Sequence, residues 1–204
     1  SSSSAGPANV TYWSPTALTI AQVDSLTVSA VSTGGIITAT VGIYPNNAGV
    51  SYTCLVSDTT STAAAALQAL LQAQQDGRFQ EITWSVSGNV VTATAQEAGT
   101  PFSLAASSSG GATMTRASVT PNTSPNDAGN AANWNRNQQQ SLPQNGDAVI
   151  VQDSSVPILW NLDQLAAVRF ASYTRWQSFT GTIGLPETNP NGYIEYRPTY
   201  FQFA

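Results

Sequence analysis

Apolar and polar residues alternate over short runs through most of the chain, a pattern typical of β-strands with one buried face. The first run, "TALTIAQVDSLTVSAV", ends at the pair Gly34-Gly35. Next come "IITATVGIYP" and "VSYTCLVS", separated by the turn-like "NNAG". We expect these two runs to form a hairpin.

One segment, "DTTSTAAAALQALLQAQQDG", has a helical pattern instead. Four consecutive alanines favour a helix, and Leu67, Leu70 and Leu71 form an apolar stripe. Three residues can cap its start: Asp58, Thr59 and Thr60. Gly77 is expected to end the helix.

After the helix, "FQEITWSVS" and "VVTATAQ" flank Gly88-Asn89, which predicts a second hairpin. Two further short strands, "TPFSLAAS" and "ATMTRASVT", are expected after it. The order strand, strand, helix, strand, strand predicts an α+β module over residues 35–119, with the helix covering one face of a sheet.

The other regions lack a helical pattern. Residues 1–34 are predicted to form an extended N-terminal arm. Residues 120–146 are a linker rich in Pro, Asn and Gln, with Trp134 as its anchor. Residues 147–204 carry short strands that suit a β-sandwich or a short β-solenoid. The expected fold is therefore mainly β with one α-helix.

Charge is sparse, since only 8% of the 204 residues are charged, against roughly 25% in ordinary soluble domains. The chain has no Lys and no His, and its six Arg and eleven carboxylates give a net charge of −5. Scattered arginines argue against nucleic-acid binding. No apolar run is long enough for a membrane span, and "SSSSAGPANV" is not expected to be a signal peptide, because it lacks a basic segment followed by an apolar one.

The residue types exclude several chemistries. Without His, neither a Ser-His-Asp triad nor a His-bound metal can form. Cys54 has no His to activate it and is expected to act as a small buried hydrophobe. We therefore predict no catalytic residue, no cofactor site and no metal site, and a chain that is not an enzyme.

Carboxylates are the remaining chemical candidates, because a glycosidase needs only two of them. Asp147 and Asp163 also fit a turn and a helix cap, respectively. The acids of the last region are Asp147, Asp153, Asp163, Glu187 and Glu195. Oxygen donors in "PNDAGN" and "QNGDAVIVQD" lack the spacing of a calcium loop, so turns are the preferred interpretation.

Aromatic residues concentrate near the end of the sequence, where ten of the eighteen Phe, Trp and Tyr residues fall between Trp160 and Phe203. We expect some to pack in a core and others to dock on another subunit. Arg197 can pair with Glu195 or with a carboxylate of that partner. The predicted partner-docking residues are Trp176, Tyr193, Tyr196, Arg197, Tyr200, Phe201 and Phe203.

Two stretches resemble known families. Residues Ile36 to Leu104, with "VSYTCLVSDTTSTAAAALQALL", "EITWSVSGNVVTATA" and "EAGTPFSL", resemble a small module of bacteriophage virion proteins. The stretch "ANWNRNQQQSLPQNGDAVIVQDSSVPILWNLDQ", with the later "SFTGTIGLPETNPNGYIEYRPTYFQFA", is similar to the opening segment of β-helical phage and bacterial surface proteins. This resemblance implies a capsid decoration, head-fibre or fibre-base protein without catalytic residues. A solenoid needs about three coils, whereas roughly one is expected here.

The leading hypothesis is a non-enzymatic structural component of a tailed-phage virion, located on the particle surface. It would decorate or bridge capsid or tail proteins and self-associate, with a trimer favoured, and it would need no cofactor, nucleic acid or membrane. One alternative is a carbohydrate-binding or glycan-depolymerising adhesin in which Trp134, Trp176 and Tyr193 stack on sugars. Another is a secreted bacterial surface-layer or adhesin module.

Overall fold

A computed structural model describes residues 9–42, 46–184, 187–188, 194–195 and 201–203. Strands make up 42% of the chain and helices 13%, with one main helix, so the predicted mainly β fold with one α-helix is confirmed. The chain forms two compact units. We call Ile20–Asn122 the helical unit, and we call Ser1–Thr19, Thr123–Glu187 and Ile194–Ala204 together the split unit.

The elements are numbered along the described residues. The strands are β1 (Val10–Trp13), β2 (Val23–Ala30), β3 (Ile36–Val41), β4 (Ala48–Thr53), β5 (Ile82–Ser87), β6 (Val90–Ala95), β7 (Leu104–Ser109), β8 (Thr113–Thr120), β9 (Trp134–Arg136), β10 (Gln139–Gln140), β11 (Ala148–Val151), β12 (Arg169–Phe170), β13 (Ser172–Arg175), β14 (Glu187–Thr188), β15 (Ile194–Glu195) and β16 (Gln202–Phe203). The helices are α1 (Thr60–Gln72) and α2 (Gly77–Gln80), and 3-10 turns lie at Ala131–Asn133 and Leu162–Leu165.

Two antiparallel sheets form the helical unit. Their strand orders are β5-β6-β2-β8 and β4-β3-β7. β3 and β4 form one hairpin and β5 and β6 another, the second turning at Gly88 with φ +56°. The positive φ suits glycine, which has no Cβ to clash. The predicted order of hairpin, helix and hairpin is confirmed, although the strands divide between two sheets.

Helix α1 begins where the sequence allows and ends earlier than predicted. Thr59 is its N-cap, since the Thr59 hydroxyl accepts from the Thr62 amide at 3.2 Å and the Thr62 hydroxyl accepts from the Thr59 amide at 2.9 Å. The helix ends at Gln72, so the prediction of Gly77 as its stop is wrong. Gly77 instead begins α2, because the Asp76 carboxylate caps that turn.

The core of the helical unit lies between α1 and the strands. α1 buries Ala63, Ala64, Leu67 and Leu71, whereas Leu70 of the predicted stripe is exposed. β2 is an interior strand that buries Leu26 and Val28. The residues predicted as one extended arm, 1–34, are therefore shared between the two units, with β1 in the split unit and β2 in the helical unit.

Parallel strands characterise the split unit. β1, β11 and β13 lie side by side, so that Val10 pairs with Ala148, which pairs with Ser172. β11 and β13 partners are therefore 24 positions apart. Ile158 bridges Ile183, 25 positions later, also in parallel. Asp127–Trp160 and Arg169–Gln202 are parallel partners 33 positions apart. Parallel partners separated by about one coil of chain are the geometry of stacked coils, so this unit is a short β-solenoid and not a sandwich.

Over the residues that the structure describes, the solenoid has three layers. The first holds β1 and a bridge residue, Asp127; the second holds β11, Ile158 to Trp160 and β12; the third holds β13, Ile183 and β16. The expectation of roughly one coil is wrong, because β1 supplies the first layer from far upstream in the sequence. Three layers match the minimum that stacking repeats need to bury a core.

One end of the stack is capped. β9 pairs antiparallel with the free side of β1, and β10 pairs with β9. The Trp134 indole is fully buried, donates to the Ala128 carbonyl at 2.8 Å, and its ring lies 4.9 Å from that of Trp13. Trp134 is thus the predicted anchor, and part of the range expected to be a linker, 120–146, is a structural cap of the solenoid.

Two residues of the split unit that flank the helical unit in the sequence are hydrogen-bonded to each other. The Thr123 hydroxyl donates to the Leu18 carbonyl at 2.6 Å. Leu18 precedes the helical unit in the chain and Thr123 follows it, so the two points of connection in the split unit are in contact. Such adjacent ends are typical of an inserted domain.

Candidate assembly surface

The predicted partner-docking residues fall into two groups. Trp176, Phe201 and Phe203 are described by the structure. The other four, Tyr193, Tyr196, Arg197 and Tyr200, lie outside the described residues, as do the side chains of Asp163, Glu187 and Glu195. The surface can therefore be built from the first group and from the strands that carry it.

Phe201 and Phe203 pack at the third layer of the solenoid. β16 pairs in parallel with β12, so Phe203 is the backbone partner of Phe170. The Phe201 ring lies 5.5 Å from that of Phe170 and 5.6 Å from that of Tyr173, in tilted arrangements. Phe201 joins the core cluster, whereas 51% of Phe203 is exposed. Phe201 therefore belongs to the core, and Phe203 belongs to the surface.

Tyr173 brings a polar group into this aromatic cluster. Its hydroxyl is buried and has no hydrogen-bond partner in the described part of the chain. Burial raises the pKa of Tyr173 above its ordinary value, so the phenol is neutral at physiological pH. A buried hydroxyl without a partner costs about 1–3 kcal/mol.

Trp176 follows β13 directly and is 55% exposed. Its amide donates to the Val151 carbonyl at 3.0 Å, and its carbonyl accepts from the Phe179 amide at 3.0 Å, so the backbone is fixed. The neighbouring Arg175 guanidinium lies 5.3 Å from the centre of the Phe179 ring and donates to the Gly181 carbonyl at 3.1 Å. A rigid backbone thus presents a large aromatic side chain to the outside.

Strands β13 and β16 also form an open edge. β13 is the last strand of the order β10-β9-β1-β11-β13, and β16 pairs only with β12 in the described ranges. We call β13, Ile183 and β16 the open end of the solenoid. Unpaired backbone groups at an edge are a template for pairing with another strand.

One carboxylate of this unit, Asp147, is engaged in a buried network of hydrogen bonds. Asp147 accepts from Arg136 Nε at 2.8 Å, Arg136 Nη2 at 3.1 Å, Thr11 Oγ1 at 2.8 Å and the Gln144 amide at 2.9 Å. Burial by itself would raise the pKa of Asp147, but these hydrogen bonds bring it below its ordinary value. Asp147 therefore stays ionised and ties β1, β9 and β11 together.

Other candidate groups have structural roles. Cys54 is buried, as predicted, and burial raises the pKa of its thiol, which makes it a poor nucleophile. Among the described side chains, no three His, Cys, Asp or Glu residues come together as a metal site. None of the described helices has the length and apolar character that crossing a membrane requires.

No protein-family model matches the chain, and no curated protein matches it significantly.

Sequence reasoning missed the Asp147–Arg136–Thr11 group. Asp147 follows Asn145-Gly146, and that signal predicts only a turn, which is present. The sequence offered one hint, a polar residue, Thr11, between Val10 and Tyr12 in an apolar strand. The structure buries Thr11 fully. Trp134 is also buried, so its predicted role in stacking on sugars is wrong.

Proposed function

We propose that the chain is a non-enzymatic structural component of a tailed-phage virion, located on the particle surface. The observation that carries this proposal is the open end of the solenoid, where β13 and β16 have no further strand partner among the described residues and lie beside exposed Trp176 and Phe203. Edge pairing and aromatic contacts suffice for assembly without a cofactor. The resemblance of the two stretches to virion proteins supports the same conclusion.

The open end would contact a capsid or tail protein or further copies of the chain, with a trimer as the favoured oligomer. The low charge supports assembly through polar and apolar contacts, because 8% charged residues leave few ions to desolvate at an interface. A glycan-depolymerising activity is less favoured, since Asp147 is engaged with Arg136. Release of reducing ends from host polysaccharide, and its loss in Asp153→Ala or Asp163→Ala, remains the test of that alternative.

The experiment compares oligomeric state and particle incorporation. Sedimentation of the wild-type chain should give a trimer, and the protein should co-purify with virions at stoichiometric copy number. The variant Thr174→Lys/Phe203→Ser places a charge on the β13 edge and removes an exposed ring, and it should be monomeric and excluded from particles. Val56→Lys, on an exposed residue of the helical unit, is the matched control and should assemble normally.

Removing residues 193–204 should likewise abolish assembly while the helical unit around Leu67 to Leu71 stays folded. Normal assembly of Thr174→Lys/Phe203→Ser would overturn the role of the open end. Absence of the protein from purified virions would overturn the virion role itself.

A further inference from the structure

The outer face of the five-stranded sheet in the split unit carries a row of side chains that the proposed assembly does not use. Tyr12 is the strand partner of Asn135 on one side and of Ile150 on the other. Thr11 and Trp13 point into the core, so the alternation of β1 directs Tyr12 outward, where it is 38% exposed. Gln152 follows Ile150 by two positions and continues the same face.

A groove of about 550 Å³ runs beside this row. Its walls are the segment after β1, at Ser14 to Thr16, and the segment after β11, at residues 152–156. The Trp13 indole donates to the Val156 carbonyl at 3.3 Å, which ties one wall to the other. The Thr180 amide donates to the Ser154 carbonyl at 3.0 Å and fixes the second wall to the next coil. The groove is therefore preformed.

The polar side chains in the groove have unused hydrogen-bonding groups. Over the described part of the chain, the side chains of Tyr12, Asn135, Gln152 and Asp153 make no hydrogen bond or ion pair. Asp153 has φ +52°, and its amide donates to the Ser178 hydroxyl at 3.1 Å, so the backbone that carries the carboxylate is held in place. A phenol, two amides and a carboxylate thus supply both donors and acceptors to one concave surface.

We propose that this groove binds a neutral oligosaccharide. A sugar ring presents an apolar face that stacks on an aromatic side chain and hydroxyls that bond to amides and carboxylates, which are the groups found here. Among the described residues that line the groove there is no Lys or Arg, and the Asp153 carboxylate is the one charged group. This charge disfavours uronic and sialic acids, so the ligand is an uncharged glycan.

The sheet geometry also favours a chain of sugars over a single one. Trp176 lies two strands across from Tyr12 and two residues further along the same face, by the registers of β1, β11 and β13. Strand and residue spacings place the two aromatic positions about 12 Å apart. A glycan stacked on Tyr12 can therefore extend towards Trp176, which borders the open end.

The test uses the full chain with three neutral probes, cellohexaose, maltohexaose and N-acetylchitohexaose, and one anionic probe, trigalacturonate. Saturation-transfer NMR and calorimetry should detect at least one neutral probe with a Kd on the order of 0.1–1 mM, and no trigalacturonate. Tyr12→Ala should weaken that binding roughly tenfold, while Tyr12→Phe should keep most of it because the ring remains. Asp153→Asn should reduce the discrimination against trigalacturonate. Val56→Ala is the control.

Three results would overturn the proposal. They are no binding of any neutral probe at about 10 mM, equal binding by wild type and a folded Tyr12→Ala, and tighter binding of trigalacturonate than of the neutral probes. Loss of oligomer in Tyr12→Ala would instead assign this face to a second copy of the chain and would also overturn it. Trp176 is left unchanged throughout, so failure here is distinguishable from failure of the open end in assembly.

Discussion

The helical unit and the split unit each bury a carboxylate paired with an arginine, but they differ in what else that carboxylate joins. In the helical unit Asp24 on β2 meets Arg116 on the neighbouring antiparallel strand β8, 92 positions later, within Ile20–Asn122. In the split unit Asp147 meets Arg136 only 11 positions away, but it also accepts from Thr11 across 136 positions, with Ile20–Asn122 between them in sequence. The pair of the helical unit therefore lies within one stretch of sequence, whereas the split unit closes only when distant segments meet.

This difference indicates which contacts each unit needs in order to stay folded. Hairpins and α1 give the helical unit many contacts between neighbouring segments, which form at low loop-closure cost. The split unit depends on one strand, because β1 joins the antiparallel cap to the parallel coils. Loss of β1 would separate the cap from the coils and expose the core beneath.

The largest expected effect is therefore the removal of residues 1–19. The split unit should unfold completely, because Trp134 loses its ring partner Trp13 and Asp147 loses Thr11. Hydrogen exchange should show loss of amide protection in β9, β11 and β13, with full protection kept in β2, β3 and β6. If β11 stays protected in the shortened chain, the solenoid does not depend on its first layer.

The two buried ion pairs offer a matched comparison of the units. Arg136→Met should destabilise the split unit by about 3 kcal/mol, since it leaves Asp147 charged in a buried site and the arginine is only 18% exposed. Arg116→Met should destabilise the helical unit less, by roughly 1.5 kcal/mol. The Arg116 side chain is 36% exposed, so water can replace some of the hydrogen bonds that Asp24 loses.

Denaturant unfolding, monitored by hydrogen exchange in each unit, measures both losses of unfolding free energy. Arg136→Lys is the intermediate control, because it keeps the charge and loses the two-point contact. A larger loss in Arg116→Met than in Arg136→Met would reverse the proposed ranking of the two units.

Acid should weaken the split unit through Asp147. Its folded pKa is lower than its ordinary value of 3.8, so ionisation stabilises the folded state above about pH 4, and this contribution is lost as pH falls through the folded pKa. Asp147→Asn should be less stable at pH 6, and its stability should fall less between pH 6 and about pH 3.

The helical unit supplies the reference for this measurement. Asp76, whose pKa Arg78 lowers to about 2, remains in both proteins and gives both the same background loss in acid. Identical pH dependence in wild type and Asp147→Asn would contradict the assigned role of this carboxylate.

The smallest expected effect concerns Tyr173. Tyr173→Phe removes a buried hydroxyl without a described partner and keeps the ring contacts with Phe201, so stability should be unchanged or should rise by up to about 1 kcal/mol. Thermal unfolding measures this shift. A clear loss of stability would mean that the hydroxyl has a partner when the protein is assembled or in solution.

The fold of the helical unit could be predicted from the sequence better than that of the split unit. Both hairpins and α1 were predictable because their signals, such as Gly88 and the Thr59 cap, lie within a few residues of the contacts they make. The prediction that Gly77 ends α1 was wrong because Asp76, just before it, is an equally strong signal for the start of a new helical turn. Such local signals compete, and only the folded geometry decides between them.

The split unit was less predictable for a physical reason. Its short parallel strands have no hairpin turn to identify the partner, because parallel neighbours are joined by long crossovers. The aromatic concentration indicated a surface at Trp176 and Phe203, but the groove beside Tyr12 depends on the pairing of β1 with β9 and β11. That pairing leaves no trace in the local pattern of either segment.

The position of β1 in the chain also sets an order of events during synthesis. Thr11 must wait for Asp147, 136 residues later, which at roughly 5–20 residues per second takes about 7 to 27 seconds on the ribosome. The helical unit emerges complete within that interval and can fold first. Its folding brings the two ends of its own segment to fixed positions, while Tyr12 and Trp13 remain exposed to chaperones or to other nascent chains until the last third of the protein is made.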